Sequence, residues 1–202
     1  MFDVGFRAIL KRPPSDRERV QFSMYLDLLI KWGSVHRLVG STEPGWIVER
    51  LFLDSLLFLS VLPRETRSIL DFGAGAGLPG IPIAVVWPEA EITLLESRRR
   101  RASFLAAAVR ELGLSGARVV AARAEDLMAE LGGTFDAVVM RCAGKLDDTL
   151  PLAARFAREG GGIVVATGPP KSGPLKLGRW LVVPGIRKGS TRRFAVLSRF
   201  GA

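Results

Sequence analysis

The sequence has a single cysteine, Cys142, and a single histidine, His36. One cysteine leaves no internal disulfide and excludes a disulfide-stapled secreted scaffold. One histidine without a cysteine cluster offers no usual ligand set, so no metal site is expected. Acidic residues are missing altogether from Gly160 to Ala202. Long apolar runs are missing too: the longest, Trp46 to Leu62, is interrupted by Glu49, Arg50 and Asp54, so no membrane partner is expected. The first fifteen residues carry Arg7, Lys11 and Arg12 without an apolar stretch or a small-residue cleavage site. No signal peptide is expected, and the expected location is cytoplasmic.

What is present suits one domain with a helical extension: 202 residues, 48% of them apolar, enough for a sizeable core. The net charge is +9 and unevenly placed. The acid-free C-terminal stretch holds Lys171, Lys176, Arg179, Arg187, Lys188, Arg192, Arg193 and Arg199, and a second block is Arg98-Arg99-Arg100-Arg101. Clustered cations are the footprint of a polyanion partner, although a solvated basic surface gives the same pattern.

Residues 1–19 are loosely patterned, with Pro13-Pro14 as a break and Ser15 or Asp16 as a cap for the helix that follows. Val20, Met24, Leu28 and Trp32 recur at helical spacing, predicting an amphipathic helix from about Arg19 to Trp32, ended by Gly33. A second helix is predicted from Trp46 to Val61 and buried on more than one side. From Arg67 strands alternate with helices. Strands are expected at Ser68–Phe72, Glu91–Leu95, Ala117–Ala121, Phe135–Met140 and Ile163–Thr167. Helices are expected after the glycine run to Trp87, and over Arg98–Leu112, Ala124–Leu131 and Asp147–Arg158. Two weaker candidates, Arg179–Val183 and Arg192–Ser198, would form an antiparallel edge. The alternation predicts an α/β, Rossmann-like doubly wound parallel sheet. Residues 1–66 form the helical N-terminal extension and 67–202 the cofactor-binding domain.

The densest signal is Ile69-Leu-Asp-Phe-Gly-Ala-Gly-Ala-Gly-Leu-Pro-Gly-Ile81: a strand, an acidic residue, a glycine turn and a helix start. This is the nucleotide-cofactor corner of an open α/β sheet. Two phases fit it. Gly73-x-Gly75-x-Gly77 after an acidic residue resembles motif I of the class I S-adenosylmethionine methyltransferases, and Gly75-x-Gly77-x-x-Gly80 fits the dinucleotide fingerprint. The first puts Asp71 at the strand end, where it can orient the loop or meet the cofactor's ammonium. The second would carry the strand on through Gly73. Glu96, ending the second strand, suits the ribose hydroxyls of either cofactor. After the third strand, Ala124 and Glu125 lie where an adenine edge is expected, or simply begin a helix.

These residues resemble the bacterial 16S rRNA (guanine-N7) methyltransferases, the RsmG or GidB family. The resemblance is carried by Asp71-Phe-Gly-Ala-Gly-Ala-Gly-Leu-Pro-Gly-Ile-Pro82, Pro88-Glu-Ala90 and Thr93-Leu-Leu-Glu-Ser97. It continues in Arg100-Arg101 with Phe104-Leu105, Arg123-Ala-Glu125, Phe135-Asp136 and Arg141. It implies the class I methyltransferase fold and S-adenosyl-L-methionine as donor. It also implies 16S rRNA as partner, within a small ribosomal subunit or precursor, and cofactor contacts at Gly73, Leu78, Ala124, Glu125 and Arg141. The chain is expected to act as a monomer. Three places differ from the family's pattern: Gly33–Val39, Leu51 and Thr167.

Guanine N7 carries a free lone pair, so the implied transfer needs no general base and rests on positioning. Arg141 is the candidate catalytic residue in that positioning sense, able to bind a carboxylate, a phosphate or guanine O6. Ser97 is expected to cap the helix bearing Arg98–Arg101, some of which are expected to contact RNA. Cys142 is expected to pack at a strand end. Two alternatives are a small-molecule methyltransferase and a non-catalytic RNA-binding protein.

Overall fold

The computed structural model describes residues 2–36, 38–141, 145–167 and 173–199, without the side chains of 34–36. Arg37, Cys142 and Lys171 lie outside the described residues, as does the side chain of His36.

Two helices open the chain, α1 (Phe2–Leu10) and α2 (Asp16–His36). A broken helical segment follows: α3 (Pro44–Ile47), a π turn (Val48–Leu53), α4 (Asp54–Leu56) and a 3₁₀ turn (Leu57–Ser60). Then come β1 (Ser68–Phe72), α5 (Gly80–Val86), β2 (Glu91–Leu95), α6 (Arg99–Glu111) and β3 (Ala117–Val120). A 3₁₀ turn (Ala124–Leu127) leads to α7 (Met128–Leu131), β4 (Ala137–Arg141), α8 (Leu146–Ala154), β5 (Gly162–Thr167), β6 (Arg179–Pro184) and β7 (Thr191–Arg199).

The seven strands form one sheet in the order β3-β2-β1-β4-β5-β7-β6. β1 to β5 are parallel, and β7 inserts antiparallel between β5 and β6. The antiparallel edge read from the tail is therefore present. Alternation along the strands divides the core. Ile69, Ile92, Leu94, Val139, Val165 and Phe194 face one cluster with the N-terminal helices, α5 and α6. Leu70, Leu95, Val138, Met140, Val164 and Ala195 face a second cluster with α8. Burial on both faces explains why these strands read as near-continuous apolar runs.

Several boundaries differ from the sequence reading, each for a tertiary reason. Residues 2–10 are helical because Phe2 and Phe6 have a partner: Phe2 lies 5.4 Å from Phe6 and 4.9 Å from Phe22. Ser15 caps α2 in a reciprocal box, its Oγ accepting from Glu18 N–H (3.3 Å) while Glu18 accepts from Ser15 N–H (2.7 Å). Gly33 does not end α2 but lies buried within it. A Cβ there would come within 3.1 Å of Thr42 Cγ2, so this glycine serves close packing of the following loop. The predicted helix from Trp46 begins at Pro44, capped by Glu43, whose carboxylate accepts from the N–H groups of Gly45 (2.7 Å) and Trp46 (2.5 Å). It then changes pitch instead of running as one α-helix.

The end of the sheet opposite the glycine turn is fastened by Asp136. Its carboxylate accepts from the N–H groups of Arg67 and Ser68, both at 2.9 Å, and pairs with Arg158 at 2.7 Å. Burial by itself would raise this carboxyl's pKa; the backbone donors and the arginine outweigh it and hold the group below its ordinary value.

Candidate cofactor site

The carboxyl ends of β1, β2 and β4 open on a cleft of about 520 Å³. It lies where the strand order reverses between β1 and β4, the switch point at which open α/β sheets bind ligands. Its lining includes Gly73, Gly75, Leu78, Glu96, Arg98, Arg101 and Arg141.

The glycine turn follows the first phase. β1 stops at Phe72, and Gly73, Gly75 and Gly77 all have positive φ, at 71°, 60° and 88°. Gly80 does not share that conformation. It begins α5, and a Cβ there would meet Leu94 at 2.4 Å and Asp71 at 2.7 Å.

Asp71 lies beneath this loop, fully buried and absent from the cleft's lining. Of the two roles read from the sequence, the structure shows loop orientation: one carboxylate oxygen accepts from Gly80 N–H at 2.7 Å. It thereby serves the start of α5, where Pro79 has no side-chain cap to give. The other oxygen, Oδ1, is buried without a hydrogen-bond partner among the described residues. Burial pushes this carboxyl up to about 7, against the pull of the Gly80 donor.

Glu96 ties the cleft together. Its oxygens accept from Gly75 N–H (3.0 Å) and Arg98 N–H (2.8 Å), and Arg101 lies 4.0 Å away. Ser97 is therefore not the cap of α6. Arg98 holds that position without a side-chain cap, and the Glu96 carboxylate supplies the anion. A negative charge at this terminus offsets the four arginines that oppose the helix dipole.

Arg141 reaches the cleft from the end of β4, but its guanidinium is engaged with the π turn. It donates to the carbonyls of Arg50 (2.6 Å) and Leu51 (3.4 Å) and lies 3.5 Å from the Asp54 carboxylate. The π pitch thus lies where Arg141 meets main-chain carbonyls beside the cleft, and π turns inside helices are frequent at functional sites. Thr167, one of the divergent positions, is buried and pairs with Arg141 across β4 and β5.

Ala124 and Glu125 are not brought to the lining. They sit on the turn after β3, where Ala124 packs against the second core cluster and Glu125 is exposed. In their place the loop after α2 supplies Leu38, Val39 and Gly40, and the π turn supplies Leu51. Two of the three divergent places therefore lie at the cleft itself. Tyr25, on α2, is not singled out by the sequence pattern. It is fully buried, stacked on Phe52 at 5.1 Å, and its hydroxyl donates to Ala76 O in the glycine loop at 2.5 Å. The available signal was chemical: a tyrosine on a buried face needs a partner for its hydroxyl.

The family model for rRNA small subunit methyltransferase G matches residues 18–174. The chain belongs to this family. The ribosomal RNA small subunit methyltransferase G of Desulfitobacterium hafniense (strain Y51) is 37% identical over 150 residues, covering 73% of this chain and 62% of that protein. The protein of the same name from Sorangium cellulosum (strain So ce56) is 35% identical over 161 residues, covering 78% and 67%. The matches thus span about two thirds of these relatives' length or slightly less. Among solved structures, the O-methyltransferase TomG from Streptomyces achromogenes, in complex with SAM, superposes with a TM-score of 0.59 at 20% identity, over 98% of this chain and 96% of that one. A SAM-dependent methyltransferase from Aquifex aeolicus gives 0.55 at 16% identity, over 78% and 94%. The fold is that of the class I methyltransferases. No helix among the described residues is long and apolar enough to cross a membrane.

Proposed function

We propose that this chain transfers a methyl group from S-adenosylmethionine to N7 of a guanine in 16S ribosomal RNA. The observation that carries this reading is the glycine-rich loop clamped by Glu96, in a chain of this family. The residues present fit the cofactor. Gly73, Gly75 and Leu78 floor the cleft, and Glu96 keeps lone pairs for ribose hydroxyls beyond the two backbone donors it accepts. S-adenosylmethionine, when bound, supplies a methyl on a sulfonium, which a neutral guanine N7 can attack without prior loss of a proton.

The chain's own groups then have positioning work. Arg141, held by the carbonyls of Arg50 and Leu51, fixes the cleft wall to the end of β4. Its charge is spent on those carbonyls and on Asp54, which suits a transfer whose product base is positive. Arg98 and Arg101 place cations at the mouth for the phosphates of the acceptor. The acceptor is presented within a small ribosomal subunit or its precursor, and Ala124 and Glu125 meet adenine only if the turn after β3 folds inward on binding.

Glu96→Ala is expected to weaken S-adenosylmethionine binding by roughly 10–150-fold, the equivalent of about 1.5–3 kcal/mol for charge-assisted hydrogen bonds. Isothermal titration calorimetry reads this directly, and an affinity within twofold of wild type would remove Glu96 from the cofactor site. The reaction itself is tested by deleting the gene and mapping 7-methylguanosine in the small-subunit rRNA. One guanine is expected to lose its methyl group and to regain it on complementation. An unchanged methylation map would overturn the proposed reaction.

A further inference from the structure

A groove of about 470 Å³ lies between the turn joining β6 to β7 and the helical segment that walls the cleft. Four arginines line it, Arg50, Arg187, Arg192 and Arg193, against two carboxylates, Glu49 and Asp54. Both carboxylates are committed. Glu49 accepts from Arg187 Nε and Nη2 at 2.6 and 3.1 Å. Asp54 accepts from Arg192 Nη2 at 3.0 Å and lies 3.5 Å from Arg141. Arg50 and Arg193 have no carboxylate within ion-pair distance among the described residues. Arg193 instead lies over the Trp180 ring, 4.4 Å from its centroid.

The groove therefore carries an excess of positive charge that its own carboxylates do not neutralise. The guanidinium forks suit phosphate oxygens, which accept two parallel hydrogen bonds from one arginine. The groove also adjoins the cofactor cleft, with one wall between them. Arg50 gives its carbonyl to Arg141 on the cleft side while its side chain lines the groove. Asp54 touches Arg141 on one side and Arg192 on the other, so the two sites share one rigid wall.

We propose that this groove binds the sugar–phosphate backbone of the RNA substrate next to the nucleotide presented in the cleft. The inference rests on the rRNA reading above. RNA is favoured over an acidic protein because the groove adjoins the cleft of a chain in an rRNA methyltransferase family.

The test compares wild type with Arg50→Gln/Arg193→Gln by filter binding to protein-free 16S rRNA and to small subunits across a series of KCl concentrations. The double variant is expected to bind both about 10-fold more weakly at 0.1 M salt, with a salt slope lower by about 1–2. Its S-adenosylmethionine affinity is expected to match wild type, and its melting temperature to fall by no more than about 2–4 °C for the lost Arg193–Trp180 contact. Arg50→Lys/Arg193→Lys is expected to restore the slope. A Gln variant with wild-type affinity and slope overturns the groove. Weaker binding to small subunits with unchanged binding to protein-free RNA also overturns it, assigning the arginines to a ribosomal protein. RNA binding that shows these groove effects without methyl transfer supports the groove and overturns the reaction instead.

Discussion

Gly77→Val is expected to abolish S-adenosylmethionine binding and to lower the unfolding free energy by roughly 2–5 kcal/mol. Two costs add at this position. Gly77 has φ at 88°, where a side chain, above all a β-branched one, is disfavoured by roughly 1–2 kcal/mol. A Cβ there would also sit 2.4 Å from Ile81 Cδ1 and 3.1 Å from Leu105 Cδ2, both buried in the core. Neither neighbour can withdraw without disturbing how α5 and α6 pack on the sheet. Gly75→Ala is the informative contrast. Its Cβ would come no nearer than 3.8 Å to Gly73 O and 3.9 Å to Arg101, so only the cost of positive φ remains. Urea melts and titration calorimetry on both variants separate the two effects. A Gly77→Val protein with wild-type stability and affinity would show that this loop does not take the conformation described.

Asp71→Asn is expected to change how stability depends on pH. Burial pushes the Asp71 carboxyl from its ordinary 3.8 up to about 7; the Gly80 N–H pulls it down, Glu96 adds to the rise, and Arg141 opposes it. The folded state therefore holds this proton more tightly than the unfolded chain. That contribution is fully present below about pH 4 and is lost as pH rises through about 7. The two values differ by the equivalent of about 4 kcal/mol. Asp136 and Glu18 behave oppositely. Burial raises both, but hydrogen-bond donors and arginines outweigh it and hold them below their ordinary values. Their contribution is present above the unfolded-state value and is lost only as pH falls through the lowered one. The two windows are thus separate, and the cofactor-free protein is expected to be most stable near the lower end of the interval between pH 4 and 7. In Asp71→Asn the decline across that interval should flatten, and the variant should exceed wild type in stability above pH 7. Asn keeps an acceptor for Gly80 N–H, so the loop is expected to persist. Urea melts at intervals from pH 4 to 8 test this, and an undiminished decline in the variant would place the titration on another group.

Much of this molecule is legible in its sequence. The strands β1 to β5 lie within two residues of their expected positions, because a parallel sheet covered on both faces imposes continuous apolar runs bounded by turns. The phase of the glycine turn was legible too, once Asp71 and the Leu78-Pro-Gly-Ile-Pro82 extension carried the family resemblance, since spacing alone left two patterns open. Asp71 proved to work through backbone donation from Gly80 and not by reaching the cleft. Ser97 was misread as a cap because local reading favours a hydroxyl there, whereas Glu96, one residue earlier, reaches the Arg98 N–H with a full charge. The short helix over Phe2–Leu10 went unseen because the partners of Phe2 and Phe6 come from α2 and beyond, out of reach of any local pattern.

The sequence by itself determined the sheet, the position and phase of the glycine turn, the family motifs and the basic surplus. All four are local or compositional properties, written in spacing and residue type. Only the tertiary structure decided which side chains share a space. It brought Tyr25 under the glycine loop, put Leu38, Val39 and Leu51 at the cleft, left Ala124 and Glu125 outside its lining, and tied Arg141 to the π turn. It also set Asp54 between Arg141 and Arg192 and so joined the cleft to the arginine groove. The reason is physical: those contacts join residues up to 138 positions apart, and packing at the carboxyl ends of the parallel strands creates them where no spacing in the chain records them.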